Sequence, residues 1–154
     1  MKSLRGWLIG VAALAAVSVG LWRVRVEAAA PTGQYTVAAS IVTDTRTGLV
    51  WQRAPGPPAI WNAALDYCEN LSLAGANDWR LPNVKELATI VDELQNAPRI
   101  DQSAFPTTAP AYFWSSSPTF GNAGAAWSVD FSGGGLDPNL GVSTAHEVRC
   151  VRGG

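Results

Sequence analysis

The chain has two cysteines, Cys68 and Cys150, and whether they join decides most of what it can fold into. A bond between them would close a loop holding more than half of the chain. In the chain-entropy model such closure stabilises by about 4.5 kcal/mol, a large share of a small domain's total. It would also hold the last strand against the helix that carries Cys68. The choice between one disulfide and two unpaired buried thiols depends on the compartment, and the N-terminus speaks to that. Lys2 and Arg5 precede an apolar run from Trp7 to Trp22, followed by Arg23, Arg25 and the small residues Ala28-Ala29-Ala30. This is the pattern of a secretory signal peptide over residues 1–28, with Val26 and Ala28 placed for cleavage before Ala29. The run is short of the roughly 20 apolar residues of a membrane span; an uncleaved N-terminal anchor is the alternative. Export puts the chain in the periplasm or outside the cell, where an even cysteine count favours one disulfide.

Export also changes the charge. Removing Lys2, Arg5, Arg23 and Arg25 from the 11 Lys+Arg, and Glu27 from the 12 Asp+Glu, leaves 7 basic and 11 acidic side chains, a net charge of −4. The mature chain has no basic cluster, so nucleic acid is not an expected partner. A membrane is expected as partner only through the N-terminal segment, if that stays uncleaved.

At 154 residues one domain is expected. Residues 29–40 read as a lead-in and residues 41–154 as the domain. Ile41–Asp44, a Thr45–Gly48 turn and Leu49–Arg53 read as a β-hairpin. Ala54-Pro55-Gly56-Pro57-Pro58 reads as a loop. Over residues 59–73, Trp61, Ala64, Leu65, Cys68 and Leu71 share one helical face, opposite Asn62, Asp66, Glu69 and Asn70. Residues 99–141 are rich in Gly, Pro, Ser, Thr and Asn and read as irregular, broken by Tyr112-Phe113-Trp114 and by an alternating strand in which Trp127, Val129 and Phe131 face inward. Glu147–Arg152 reads as a single final strand.

Between the hairpin and that region lies the densest stretch, Asn77-Asp78-Trp79-Arg80-Leu81-Pro82-Asn83-Val84-Lys85-Glu86-Leu87. Asn83 stands where an N-cap belongs, and Glu86 follows at capping-box spacing. Val84, Leu87, Ile90, Val91 and Leu94 then recur at helical steps, which predicts a second helix over 83–95. Arg80, between Trp79 and Leu81, is expected to be a buried anchor fixed by a carboxylate or by backbone carbonyls, with Glu86 or another nearby acid as partner.

Ser115-Ser116-Ser117, His146 and Asp130 hold the residue types of a hydrolytic triad, but no nucleophile elbow surrounds the serines and His146 is the only histidine. One histidine and two paired cysteines make no closed zinc site. Neither a metal nor a cofactor is expected; calcium is the one ion that the oxygens of Asp130, Asp137 and Asn139 could suit. Trp51, Trp61, Trp79 and Trp127 are expected in the core. Tyr112 and Trp114, before a serine-rich loop, are divided between core and a ligand surface, because aromatic faces stack on sugars and suit protein interfaces.

Taken in order, Thr47-Gly48-Leu49-Val50-Trp51-Gln52, Trp61 with Ala64 and Tyr67-Cys68, Leu73-Ala74-Gly75 with Asp78-Trp79-Arg80-Leu81-Pro82-Asn83 and Glu86-Leu87, Phe105-Pro106, Trp114-Ser115-Ser116, Trp127-Ser128-Val129-Asp130-Phe131 and Val148-Arg149-Cys150-Val151-Arg152 resemble the Lcl C-terminal domain. That is the terminal domain of a bacterial collagen-like adhesin, and the resemblance spans roughly residues 41–152. It implies an α+β, C-type-lectin-like fold: two helices flanking a small antiparallel sheet, a long irregular loop region, and a disulfide from the first helix to the last strand. It makes Trp79, Arg80, Leu81, Pro82 and Glu86 the structural motif. The adhesin is thought to bind sulfated glycosaminoglycans through a basic surface, whereas this chain is acidic and has no collagen repeat. Calcium-dependent lectins place a Glu-Pro-Asn-type loop before a Trp-Asn-Asp-type strand; here Asp137-Pro138-Asn139 follows Trp127–Asp130.

The function expected from the whole is an exported, non-catalytic binding module for a glycan or protein, with Tyr112, Trp114, Asp130, Asp137 and Asn139 as the candidate ligand surface. The alternative is an envelope assembly protein that binds only protein partners, including further copies of itself.

Overall fold

A computed structural model describes residues 30–154; the signal peptide expected over residues 1–28 lies outside them. The elements are β1 (Tyr35–Val37), β2 (Ile41–Asp44), β3 (Val50–Gln52), β4 (Gly56–Ala59), α1 (Trp61–Glu69), α2 (Val84–Ala88), β5 (Tyr112–Pro118), β6 (Ala125–Asp130), β7 (Leu136–Gly141), β8 (His146–Val148) and β9 (Val151–Arg152). They form an α+β fold with two sheets rather than one, ordered β1-β2-β3-β9 and β4-β8-β5-β6-β7. All pairings are antiparallel except β5 with β8.

The β2–β3 hairpin forms as read, with Asp44 accepting hydrogen bonds from Arg46 N and Thr47 Oγ1 to shape the turn. Several expectations need correction. The lead-in contributes strand β1, whose Tyr35 packs edge-on against Phe105 at 5.2 Å. The Pro-rich 54–58 segment contributes β4, an edge strand, which is where proline is tolerated because one side needs no N–H donor. The same reason admits Pro138 to β7, so the supposed irregular region 99–141 instead holds three strands of a meander. The final strand is two: β8 and β9 belong to different sheets, and Arg149-Cys150 cross between them.

Both helices are shorter than their apolar periodicity. In α1 the buried residues are Ala64 and Cys68, on the face expected. It stops before the bridge Leu73↔Ala76, a tight reversal through Ala74 and Gly75 at positive φ. Beyond α2, the Asp92 side chain accepts from Leu94 N and the Asp92 amide donates to Arg99 O, so Asp92 turns the chain where helix was expected. Ile90 is buried as the pattern implies, but Leu94 is exposed.

Two apolar clusters flank the second sheet. One gathers Trp51, Leu87, Ile90, Phe105, Phe113, Val129 and Phe131; the other gathers Ala64, Trp79, Leu81, Trp114 and Val148 with the Cys68–Cys150 disulfide, whose partners are 82 residues apart. Trp51 and Trp79 lie in the core as expected. Trp61 and Trp127 are only half-buried, the latter beside the register shift between Ala126 and Ser128 that interrupts the expected alternation. That shift also leaves Ser128 fully buried.

The Trp79–Glu86 motif joins the two halves. The Arg80 backbone pairs with Val151 in both directions, at 2.9 Å, extending the first sheet past β9. The Arg80 guanidinium donates twice to Glu86, both at 2.7 Å, and to the Gly153 carbonyl at 2.9 Å. Glu86 completes the capping box, accepting from Asn83 N at 2.8 Å while Asn83 Oδ1 accepts from Glu86 N at 2.9 Å. The partner is the one expected, but Arg80 is not buried, its side chain being 40% exposed. Its backbone is used as a strand, so the side chain alternates outward between Trp79 and Leu81, which are buried.

Arg80 holds the Glu86 carboxyl below its ordinary range. The stabilisation from this pair is therefore complete above the unfolded carboxylate value of about 4.3 and is lost as pH falls through the depressed folded value. Because Arg80 is partly solvated, the ion pair itself contributes modestly, and most of the effect comes from the cap. Glu86→Ala is expected to destabilise by about 1–2 kcal/mol. Thermal melts at pH 7 should show this, with a gap that narrows at low pH.

Candidate binding face

Four of the five candidate ligand residues come to one face of the second sheet. Tyr112 stands directly opposite Asp130, Trp114 opposite Ser128, and Ser128 opposite Asp137. Directly paired residues share a face, as do alternate residues along a strand. Tyr112, Trp114, Asp130 and Asp137 therefore line one side. Helix α1 covers part of that side, packing Ala64 and Cys68 with Trp114, Ala126 and Val148. Tyr112 and Asp130, farther along, stay half-exposed.

The two aromatics part company here. Trp114 is fully buried, and its indole donates to the Ala59 carbonyl at 2.9 Å. It is core rather than ligand surface, which corrects that expectation; α1 and β4 close over it. Tyr112 keeps an open edge. His146, arriving from β8, sets its ring edge-on to both, at 6.0 Å from Tyr112 and 5.1 Å from Trp114. Burial lowers the pKa of the His146 imidazole, so it is neutral at pH 7 and packs as an aromatic. His146 was considered in the sequence only as a triad base; its role as the buttress of Tyr112 follows from the parallel β5–β8 pairing, which no local pattern announces.

The acids are occupied locally. Asp130 Oδ1 accepts from Ser132 N and Ser132 Oγ, and its Oδ2 from Gly133 N at 3.2 Å, closing the turn into β7. Asp137 Oδ1 accepts from Asn139 N at 2.8 Å. Asn139 is exposed. Among the described residues no three His, Cys, Asp or Glu side chains gather as metal ligands. The triad residues do not meet: Ser115 Oγ is buried against the Trp127 carbonyl at 2.7 Å, Ser117 Oγ accepts from Val84 N, and His146 faces aromatic rings.

One surface feature escaped the sequence reading. Phe120, at the tip of the β5–β6 hairpin, is fully exposed. The tip is held by backbone bonds from Asn122 N to Thr119 O and from Ala125 N to Asn122 O. An aromatic placed in a Thr-Phe-Gly-Asn turn was the available signal. Among the described residues no helix is long and apolar enough to cross a membrane.

A family model described as the Lcl C-terminal domain matches residues 40–152. No curated protein matches the chain significantly. Among solved structures, an intimin mutant of EHEC O157:H7 superposes with a TM-score of 0.46 at 16% identity, over 79% of this chain and 73% of that one.

Proposed function

We propose, from the premise that this chain belongs to the Lcl C-terminal domain family, that it is an exported, non-catalytic, C-type-lectin-like binding module of the bacterial envelope or cell surface. The observation that carries this reading is the Tyr112 face. A half-exposed tyrosine, braced edge-on by a neutral histidine and set opposite Asp130, offers a sugar an apolar platform. The mature chain's acidity makes the preferred glycan a neutral one. The disulfide from α1 to the last strands supports both the lectin-like fold and an oxidising compartment, periplasmic or extracellular. The side chains of Ser115, Ser117, Asp130 and His146 are engaged with other partners, which supports a module without catalysis.

Calcium is not required in this reading, because the Asp130 oxygens already serve the turn at Ser132 and Gly133. A glycan array probed with the purified full chain at physiological salt tests it. Selective binding to neutral glycans, unchanged by EDTA, is expected. Binding confined to sulfated glycans at low salt would be a screened electrostatic contact and would count against it.

The second reading, an assembly protein that binds protein partners or further copies of itself, is favoured by Phe120, with Leu136 also exposed. No glycan binding, together with a specific envelope protein captured by the wild type and lost in Phe120→Ala, would move the conclusion there.

A further inference from the structure

A half-open hollow of about 280 Å³ lies where the β1–β2 turn, the segment leaving β3 and the loop before β5 converge. None of its lining residues belongs to the Tyr112 face. Its walls are the apolar side chains of Ala39, Ala54, Leu73 and Pro106. Arg53 is the one charged residue that lines it, and no acid does. The Arg53 Nε donates to the Ala104 carbonyl at 3.3 Å, which tethers the guanidinium. Among the described residues no carboxylate pairs with it, and its Nη groups are not among the buried polar atoms. Gln52 beside it is fixed at both ends, accepting from Cys150 N at 3.2 Å and donating to the Tyr67 hydroxyl at 2.9 Å.

The backbone around this hollow is strained. Among the described residues, the non-glycine positions with positive φ are Thr107, at 64°, and Ala74, at 54°. Thr107 lines the hollow and Ala74 adjoins Leu73, which also lines it. A β-branched residue in the left-handed region is costly and persists only where the surroundings impose it, a pattern concentrated at ligand sites. A tethered, unneutralised guanidinium above short aliphatic walls matches one ligand chemistry. The planar fork receives a carboxylate, and the walls receive a small alkyl body.

We infer that this hollow binds a small aliphatic carboxylate, its anionic end on Arg53 and its alkyl end against Leu73 and Pro106. A short free acid and the C-terminal residue of a peptide share that chemistry.

Amide chemical shifts of the full chain, titrated with isovalerate, isovaleramide, the tripeptide Ala-Ala-Leu and its C-terminal amide, test the proposal. Isovalerate or the free tripeptide should produce saturable shifts at Ser40, Arg53, Leu73 and Thr107, and the two amides none. Tighter binding of the tripeptide identifies a chain end as the ligand; tighter binding of isovalerate identifies a free acid. Arg53→Met should weaken binding at least tenfold. Ala54→Leu, which fills the hollow and leaves Arg53 intact, should do the same with the melting temperature unchanged. Equal shifts from acids and amides, no saturable shift from either acid, or unchanged affinity in Arg53→Met would overturn it.

Discussion

Removing the disulfide, with Cys68→Ala and Cys150→Ala together, is expected to lower the free energy of unfolding by about 4 kcal/mol. The bond joins positions 82 residues apart and closes a loop that contains α2 and every strand of the second sheet but β4. It also fastens α1 to the point where the chain passes from one sheet to the other. Both cysteines are fully buried among Ala64, Trp79, Trp114 and Val148. Reductant should therefore reach the sulfurs only in molecules that have opened, so the native protein should be reduced at its unfolding rate. Urea denaturation of the oxidised and double-alanine forms measures the first effect, and the time course of thiol release measures the second. Fast reduction with no change in the urea midpoint would show that the bond restrains little.

The second large effect centres on Arg149, which is 1% exposed. Its guanidinium lies over the rings of Phe105, at 4.8 Å, and Phe113, at 5.8 Å, and one Nη donates to Thr108 Oγ1 at 2.8 Å. Its Nε and other Nη have no protein partner, and no carboxylate answers its charge among the described residues. Burial pushes its pKa down to about 9, which leaves it charged at neutral pH. Desolvating a cation with so little compensation is unfavourable. An apolar side chain of similar length should fill the space without that penalty. Arg149→Met is expected to be at least as stable as the wild type, by up to about 3 kcal/mol. Thr108→Val, which strips the guanidinium of its one hydrogen-bonding partner, should instead cost about 2 kcal/mol. Denaturation of the two variants checks both signs; a strongly destabilised Arg149→Met would mean that the stacking on Phe105 and Phe113 outweighs desolvation.

Arg149 also shows where reading the sequence stops. Arg80 attracted attention because it stands between Trp79 and Leu81, yet alternation along an extended segment sends it outward to Glu86. Arg149 stands between Val148 and Cys150 in the same way and is buried. The difference lies in topology: the chain changes sheets there, so Val148, Arg149, Cys150 and Val151 are all buried in succession. Features closed by local chemistry were legible, namely the β2–β3 hairpin, the Asn83–Glu86 cap with its Arg80 partner, and the inner face of α1. The disulfide was legible because two cysteines in a chain whose sequence reads as exported leave few choices. The length of α2 was not, since one Asp92 side chain and a long-range bond to Arg99 end an apolar period that continues to Leu94. The meander of β5, β6 and β7 was hidden by Pro138 and the glycines, which an edge strand and its turns accommodate. At the candidate face, Tyr112 and Trp114 differ by two positions and share an orientation. Only the packing of α1 and β4 makes one of them core and leaves the other open.

The most direct test of the binding reading is calorimetric titration of the best array glycan into the wild type, Tyr112→Ala and Phe120→Ala. If the Tyr112 face is the site, Tyr112→Ala should lose at least tenfold in affinity, about 1.4 kcal/mol, while Phe120→Ala binds as the wild type does. Unchanged affinity in Tyr112→Ala, with the loss falling on Phe120→Ala instead, would contradict it and place recognition at the hairpin tip.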